Sequence, residues 1–135
     1  MSGGVRGLFR ILMVLALGSL WSLAAWVAPT LFFSQPNRYL AGELAGRMFR
    51  VETYLCAGVA LLALALPGRG RFLWFYLAAA LLGVNEWLLR PHMEAARLHG
   101  VSSGLTFGAW HGVSAVLYAA ACAAGLLLVW HDDLR

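Results

Sequence analysis

Hydrophobic residues fall in four long runs: Leu8 to Phe33, Met48 to Leu66, Phe72 to Leu89 and Leu105 to Trp130. Each holds roughly the 17–25 residues that carry a helix across about 30 Å of hydrocarbon. In lipid the backbone must satisfy its own hydrogen bonds, so such runs form helices rather than open sheets. The pattern predicts an all-α, polytopic integral membrane four-helix bundle, with residues 1–135 as a single transmembrane domain. Arg6 and Arg10 imitate the start of a signal peptide. The run behind them is too long for a typical apolar signal core, and Trp26 and Pro29 spoil the best cleavage site, around Ala28. The first run therefore reads as a retained span.

The polar stretches between the runs differ in length. Residues 67–71, "PGRGR", make a tight turn opened by the breaker pair Pro67-Gly68. Residues 34–47 and 90–104 are longer, and "RYLAGELAGRMF" and "PHMEAARLHG" mix small, apolar and charged positions. They predict short interfacial helices that lie on the membrane surface or cap the bundle. Pro91 reads as the break after the third span, Gly100 as the end of the short helix behind it, and His131-Asp132-Asp133 as the close of the fourth span. Pro29 in the close of the first run matches Pro91 after the third, and Gly46 to Phe49 opening the second matches Gly104 to Phe107 opening the fourth. This faint echo suggests two hairpin halves arranged as parallel repeats.

Composition strengthens the membrane assignment. The chain is 61% hydrophobic and 12% charged, against about 45–50% and about 25% in soluble domains. A soluble domain this small could not bury so much apolar surface, so the lipid bilayer is its first partner. The net charge of +4 rests on ten arginines and no lysine, placed at the edges of the apolar runs. That placement suits lipid headgroups, and no basic stripe interleaved with aromatics points to nucleic acid. Arg6, Arg10, Arg69, Arg71 and Arg135 share one membrane side, while Arg38, Arg47, Arg50, Arg90 and Arg97 share the other. Short dense loops weigh most in the positive-inside rule, which favours both termini in the cytoplasm of a bacterial inner membrane. Cys56 and Cys122 start from the same side at depths of about 12 Å and about 22 Å, so they read as buried small hydrophobes and not as a disulfide.

The polar residues inside the spans gather towards one membrane face. Glu52 lies early in the second span, Asn85 and Glu86 near the end of the third, and His111 early in the fourth. Ionisable groups in a span face protein or a water cavity and find partners. Glu86 with Arg90 and Glu43 with Arg47 stand at i, i+4, Glu94 can meet Arg97, and Glu52 can reach Arg50, Arg47 or His111. These pairs either stitch helix ends to the caps or line a small polar pocket. In the second case Glu52, Asn85, Glu86 and His111 line it, with Arg90 as counter-charge.

Other chemistries are less well supplied. Met48, Glu52 and Cys56 recur every four residues on one helix face and with His111 make a mixed donor set that copper could use. No paired His or Cys spacing accompanies them, and His92 and His99 lie at the interface. Haem b needs a second intramembrane ligand beside His111. No nucleophile motif or phosphate loop suggests an enzyme. The fourth span is rich in small residues, from Gly108 and Gly112 to Ala124 and Gly125, as close helix packing requires within the bundle or against another copy or partner.

"VAPTLF" (27–32), "AGELAGRMF" (41–49), "RPHMEAAR" (90–97) and "FGAWHGVS" (107–114), in this order and spacing, resemble the domain-of-unknown-function 4149 family, also described as transmembrane protein 205-like. The resemblance covers nearly the whole chain. It implies a small four-helix membrane protein with no established activity. The positions that carry it are Pro29, Phe32, Ala41, Gly42, Gly46, Phe49, Pro91, Met93, Arg97, His111, Gly112 and Ser114, while His92 and His99 stand outside it. The leading expectation is a non-enzymatic membrane protein that binds or passes a small solute or ion. A structural partner acting through the Gly/Ala face of the fourth helix comes next, and a metal or haem carrier third.

Overall fold

The computed structural model describes residues 3–67 and 69–131, without the Arg69 side chain. Gly68 of the tight turn, and Asp132, Asp133 and Arg135 beyond the fourth span, lie outside the described residues. Four helices make up the fold: α1 (Gly3–Ser34), α2 (Arg38–Leu64), α3 (Gly70–His99) and α4 (Phe107–Trp130). Three of them, α1, α3 and α4, are long and apolar enough to cross a membrane. The protein is an all-α membrane bundle.

Helix α2 differs from its expected span. It begins at Arg38 instead of Met48 because Asn37 caps it, accepting from the backbone N–H groups of Tyr39 and Leu40. Its first half carries Arg38, Glu43, Arg47 and Arg50, so its apolar part is confined to Val51–Leu64. The interfacial segment of the first long connection is thus the opening of α2 itself.

The second expected interfacial helix is likewise continuous with its span, and Pro91 does not break α3. Just before each intrahelical proline the helix widens by one residue per turn. Leu23–Val27 and Asn85–Leu89 are π-helical, with Ala28 N–H donating to Leu23 O and Arg90 N–H to Asn85 O. A proline ring clashes with the carbonyl one α-helical turn back and leaves it without a donor. In both helices the residue immediately before the proline makes the longer π bond, which opens the turn where that clash would fall. The two hairpin halves therefore share a local structure, a π turn ending two residues before Pro29 and before Pro91. The Gly-to-Phe echo does not extend it, because Phe49 lies well inside α2 while Phe107 starts α4.

Helix α3 ends at Gly100, with φ +83°, and the chain then forms a small hairpin. Val101–Ser102 pairs antiparallel with Leu105–Thr106. Ser103 and Gly104, at φ 49° and 79°, make the turn. Two successive positive φ angles match the right-handed twist of paired strands. Thr106 then caps α4 by accepting from Ala109 N–H.

The core follows from helical spacing. On α1 Phe9, Met13, Ala16 and Leu20 recur every three or four residues and are buried. They meet Cys56, Val59, Ala60 and Ala63 of α2, Phe75, Ala78 and Leu82 of α3, and Ala121, Ala124 and Leu128 of α4. Helix α1 packs on α2, α2 on α3 and α3 on α4, and α1 touches α4 to close the ring. At that last seam a Cβ on Gly125 would stand 2.9 Å from Leu17 Cδ2, so glycine sets how closely the helices approach.

Gly125→Leu is expected to lower stability by about 1–3 kcal/mol through overpacking. The double variant Gly125→Leu with Leu17→Ala should recover much of that loss. Thermal unfolding of the purified protein in mild detergent checks it, and a double variant no more stable than Gly125→Leu would show that the seam is not the cause.

Candidate functional site

The polar side chains of the helix interiors include half-buried Ser19 on α1 and buried Glu52 on α2 and Glu86 on α3. The π turn of α3 supplies Asn85 and Glu86, both on the buried face although adjacent in sequence. Such turns are a recurring feature of functional sites in helices. Glu86 is 6% exposed, and each of its carboxylate oxygens has its own arginine. Arg50 Nε of α2 donates to Oε1 at 2.6 Å, and Arg90 Nη1 of α3 donates to Oε2 at 2.8 Å. A carboxylate at the centre of a span costs about 2.5–3.5 kcal/mol on insertion scales. Hydrogen bonds to charged groups return about 1.5–3 kcal/mol each, so two of them offset that cost.

Arg90 makes further bonds. Its Nη1 also donates to Gly46 O at 3.2 Å, and its Nε to Glu94 at 3.3 Å. A Cβ on Gly46 would lie 3.1 Å from Arg90 Nη2, so the glycine admits the guanidinium against the α2 backbone. Glu94 pairs with Arg90 and not with Arg97. Arg97 instead lies over the rings of Tyr39 and Phe107, 5.1 and 4.9 Å from their centroids. The expected Glu43–Arg47 pair forms at 2.6 Å and is exposed.

Glu52 is buried one helical turn before Cys56, at 4% exposure. Its Oε2 accepts from the Ser19 hydroxyl of α1 at 2.6 Å, and its Oε1 from Cys56 Sγ at 3.4 Å. It meets none of Arg47, Arg50 or His111. His111 is exposed and stacked along Phe107, with ring centroids 5.9 Å apart, so it does not join the buried polar groups. Asn85 lies beside the Tyr118 hydroxyl of α4, and its buried Oδ1 has no hydrogen-bond partner among the described residues. Phe49 packs on the Tyr118 ring at 4.3 Å. Two groups of polar contacts result, Glu86 with Arg50 and Arg90 and Glu52 with Ser19 and Cys56, while Asn85 lies beside Tyr118 and His111 stacks on Phe107.

The motif positions meet one another around these groups. Gly42 accommodates Phe32, whose ring would stand 3.8 Å from a Cβ there. Gly46 receives Arg90, Phe49 packs on Tyr118, and Arg97 covers Phe107. Pro29 and Pro91 follow the π turns, Met93 is half-buried and Ser114 is buried. His92, outside the motif, stacks on Trp110 at 4.7 Å and bonds Ser102 at 3.1 Å, while Trp110 Nε1 donates to Ser102 O. These contacts hold the hairpin to α3 and α4.

Met48 and His111 are exposed, whereas Glu52 and Cys56 are buried. Among the described residues no three His, Cys, Asp or Glu groups come together as metal ligands. The small residues of α4 divide between two faces. Ala121, Ala124 and Gly125 pack inside, whereas Gly108, Gly112, Ala115, Ala119 and Ala123 face outward.

The family described as Domain of unknown function (DUF4149) matches residues 11–102. That is more than half of the chain, and the chain belongs to this family. The match takes in the whole Arg50–Glu86–Arg90 arrangement and ends before α4, so His111, Gly112 and Ser114 lie beyond it. No curated protein and no solved structure matches the chain significantly.

Removing a buried pair's partner costs about 3–5 kcal/mol. Because Arg50 keeps 42% of its side chain exposed, Glu86→Ala should fall at or below the lower end of that range. Arg47→Ala, which breaks an exposed pair, should cost about 0–1 kcal/mol. Unfolding by graded denaturing detergent compares the two, and equal losses would mean that Glu86 is not specially held.

Proposed function

We propose that this member of the DUF4149 family is a non-enzymatic membrane protein that binds or passes a small solute or ion at the polar layer of Glu52, Asn85, Glu86 and Arg90. The observation that carries the reading is the Asn85 amide. Among the described residues its Oδ1 is buried without a partner, next in sequence to Glu86, whose two oxygens are both taken by arginines. Buried polar atoms are nearly always hydrogen-bonded, and an exception calls for an unseen donor such as water, a cation or a solute N–H or O–H. The surrounding charges, Arg50 and Arg90 against Glu86 and Glu94, balance to zero by formal count. A guest that donates hydrogen bonds and adds little charge suits that balance.

The proposed orientation places both termini in the cytoplasm of a bacterial inner membrane. The arginine-bearing N-terminal stub and short turn lie on that side, and the polar layer opens towards the periplasm.

A second reading rests on the outward Gly/Ala face of α4. A Cβ at Gly112 would meet nothing within 4 Å, so the bundle itself does not use that face. Small residues let transmembrane helices approach closely, and this face would contact a second copy or another membrane protein.

Mass spectrometry of solvent extracts separates the readings. Wild-type protein purified in mild detergent is expected to carry a stoichiometric small species that Asn85→Leu loses while remaining folded. Identical extracts from both would remove the solute reading. Crosslinking through Gly112→Cys at native expression should give dimers or heteromers if α4 is an assembly face, and monomers alone would exclude self-association there.

A further inference from the structure

Glu52 and Glu86 are both buried, yet they are held differently. Glu86 has two arginines. Among the described residues, Glu52 has only neutral partners, Ser19 of α1 and Cys56 of its own helix. Arg50, half a turn away on α2, is committed to Glu86. The buried or half-buried titratable side chains on the other helices are Tyr76, Glu86, Arg90 and His92 of α3 and Tyr118 and Cys122 of α4, with Arg90 held by Glu86, Glu94 and Gly46 O and His92 by Ser102. Among the described residues, α1 bonds it through the Ser19 hydroxyl. Among the described residues no cation pairs with the carboxyl, and a lone carboxylate in an apolar helix pair is far costlier than a carboxylic acid.

We infer that Glu52 is a proton-binding site, its carboxyl holding a hydrogen on Oε2 at neutral pH as the middle of a three-donor relay from Cys56 to Ser19. The hydrogens set the direction. Ser19 Oγ stands 2.6 Å from Glu52 Oε2 and 3.0 Å from Ala16 O, but the hydroxyl owns one hydrogen. With Glu52 ionised, that hydrogen turns to Oε2 and leaves Ala16 O. With Glu52 protonated, every donor has an acceptor: Cys56 S–H to Oε1, Glu52 Oε2–H to Ser19 Oγ, and Ser19 O–H to Ala16 O. Loading adds one proton to Oε2 and rotates the Ser19 hydrogen from Glu52 to the α1 backbone, with no other bond changed. Release reverses both movements. A distance of 2.6 Å suits an O–H donor in either direction.

The relay bridges α1 and α2, where among the described residues no arginine pair does so. It rests on the proposed binding role of the polar layer and identifies the ion as a proton at the Glu52 end. The Arg50–Glu86–Arg90 end, already neutralised, would hold the other guest.

Infrared spectroscopy of the full chain in a maltoside detergent, which has no ester carbonyls, tests this with protons as the probe. Near neutral pH, where an exposed carboxylic acid is ionised, the spectrum should show the carbonyl stretch of a protonated acid that moves on glutamate isotope labelling. Glu86→Gln should keep the band and Glu52→Gln should lose it. Ser19→Ala should shift it to higher frequency, because the acceptor of the acid hydrogen is gone. If Glu52→Gln does not fold, the isotope shift and the Ser19→Ala shift carry the test. Absence of an acid band in the wild type, including the case of a carboxylate held by a sodium ion, overturns the inference. So does a band that neither Ser19→Ala nor Glu52→Gln alters. The solvent-extract comparison of Asn85→Leu reads the other end of the layer. A band with identical extracts would leave the proton site and remove the solute reading, and changed extracts without a band would do the reverse.

Discussion

A single carboxylate shared by two arginines fixes the polar end of this protein. Glu86 sits inside a span, where an unpaired charge is costly, and its two oxygens are taken by Arg50 from α2 and Arg90 from α3. That demand explains features that otherwise look unrelated. Gly46 has no side chain because Arg90 reaches the α2 backbone there. Arg97 is freed from Glu94 and covers the aromatic rings of Tyr39 and Phe107 instead. The α3 π turn puts Asn85 and Glu86 together on the inner face, and Pro91 follows it without ending the helix.

Below this clamp the bundle is held by apolar packing with small residues, and above it by short-range caps and stacks. The lower half has the close Leu17–Gly125 seam and the buried alanines of α2 and α4. The upper half has the Asn37 and Thr106 caps, the Ser103-Gly104 turn and the His92–Trp110 stack. Glu52 and Ser19 lie between the two regimes. The paired π–proline elements of α1 and α3 place a widened turn in each half of the chain. Only the one in α3 carries polar side chains, which makes the site asymmetric within a repeated scaffold.

Much of this was legible in the residues. Run length and hydropathy indicate four helices, because lipid leaves the backbone few alternatives, although α2 begins well before its apolar run and α3 continues well past its own. The pairs Glu86–Arg90 and Glu43–Arg47 follow from helical spacing, and the membership of the family was visible in short motifs that turn out to touch one another. Contacts set by helix rotation were not legible. Arg50 and Glu86 are 36 residues apart, and nothing in the spacing says that Arg50 turns to α3 while Glu52 turns to α1. The same rotation sends His111 outward against Phe107. Ser19 is a lone hydroxyl in an apolar run, visible as important only once Glu52 faces it. Pro91 misled because a proline usually ends a helix, and the π turn that absorbs it leaves no plain signature. The hairpin was hidden by its length, although Ser-Gly between Val-Ser and Leu-Thr is a turn signal.

The most direct measurement is a double-mutant cycle between Arg50 and Glu86, made with Arg50→Ala, Glu86→Ala and the pair, and read as unfolding free energy in mild detergent. Contacting residues in one ion network couple by about 0.5–3 kcal/mol. The arrangement described here predicts a coupling in the upper half of that range, with the double variant losing much less than the sum of the two singles. Losses that add within about 0.3–0.5 kcal/mol, as for independent sites, would contradict a carboxylate shared between α2 and α3.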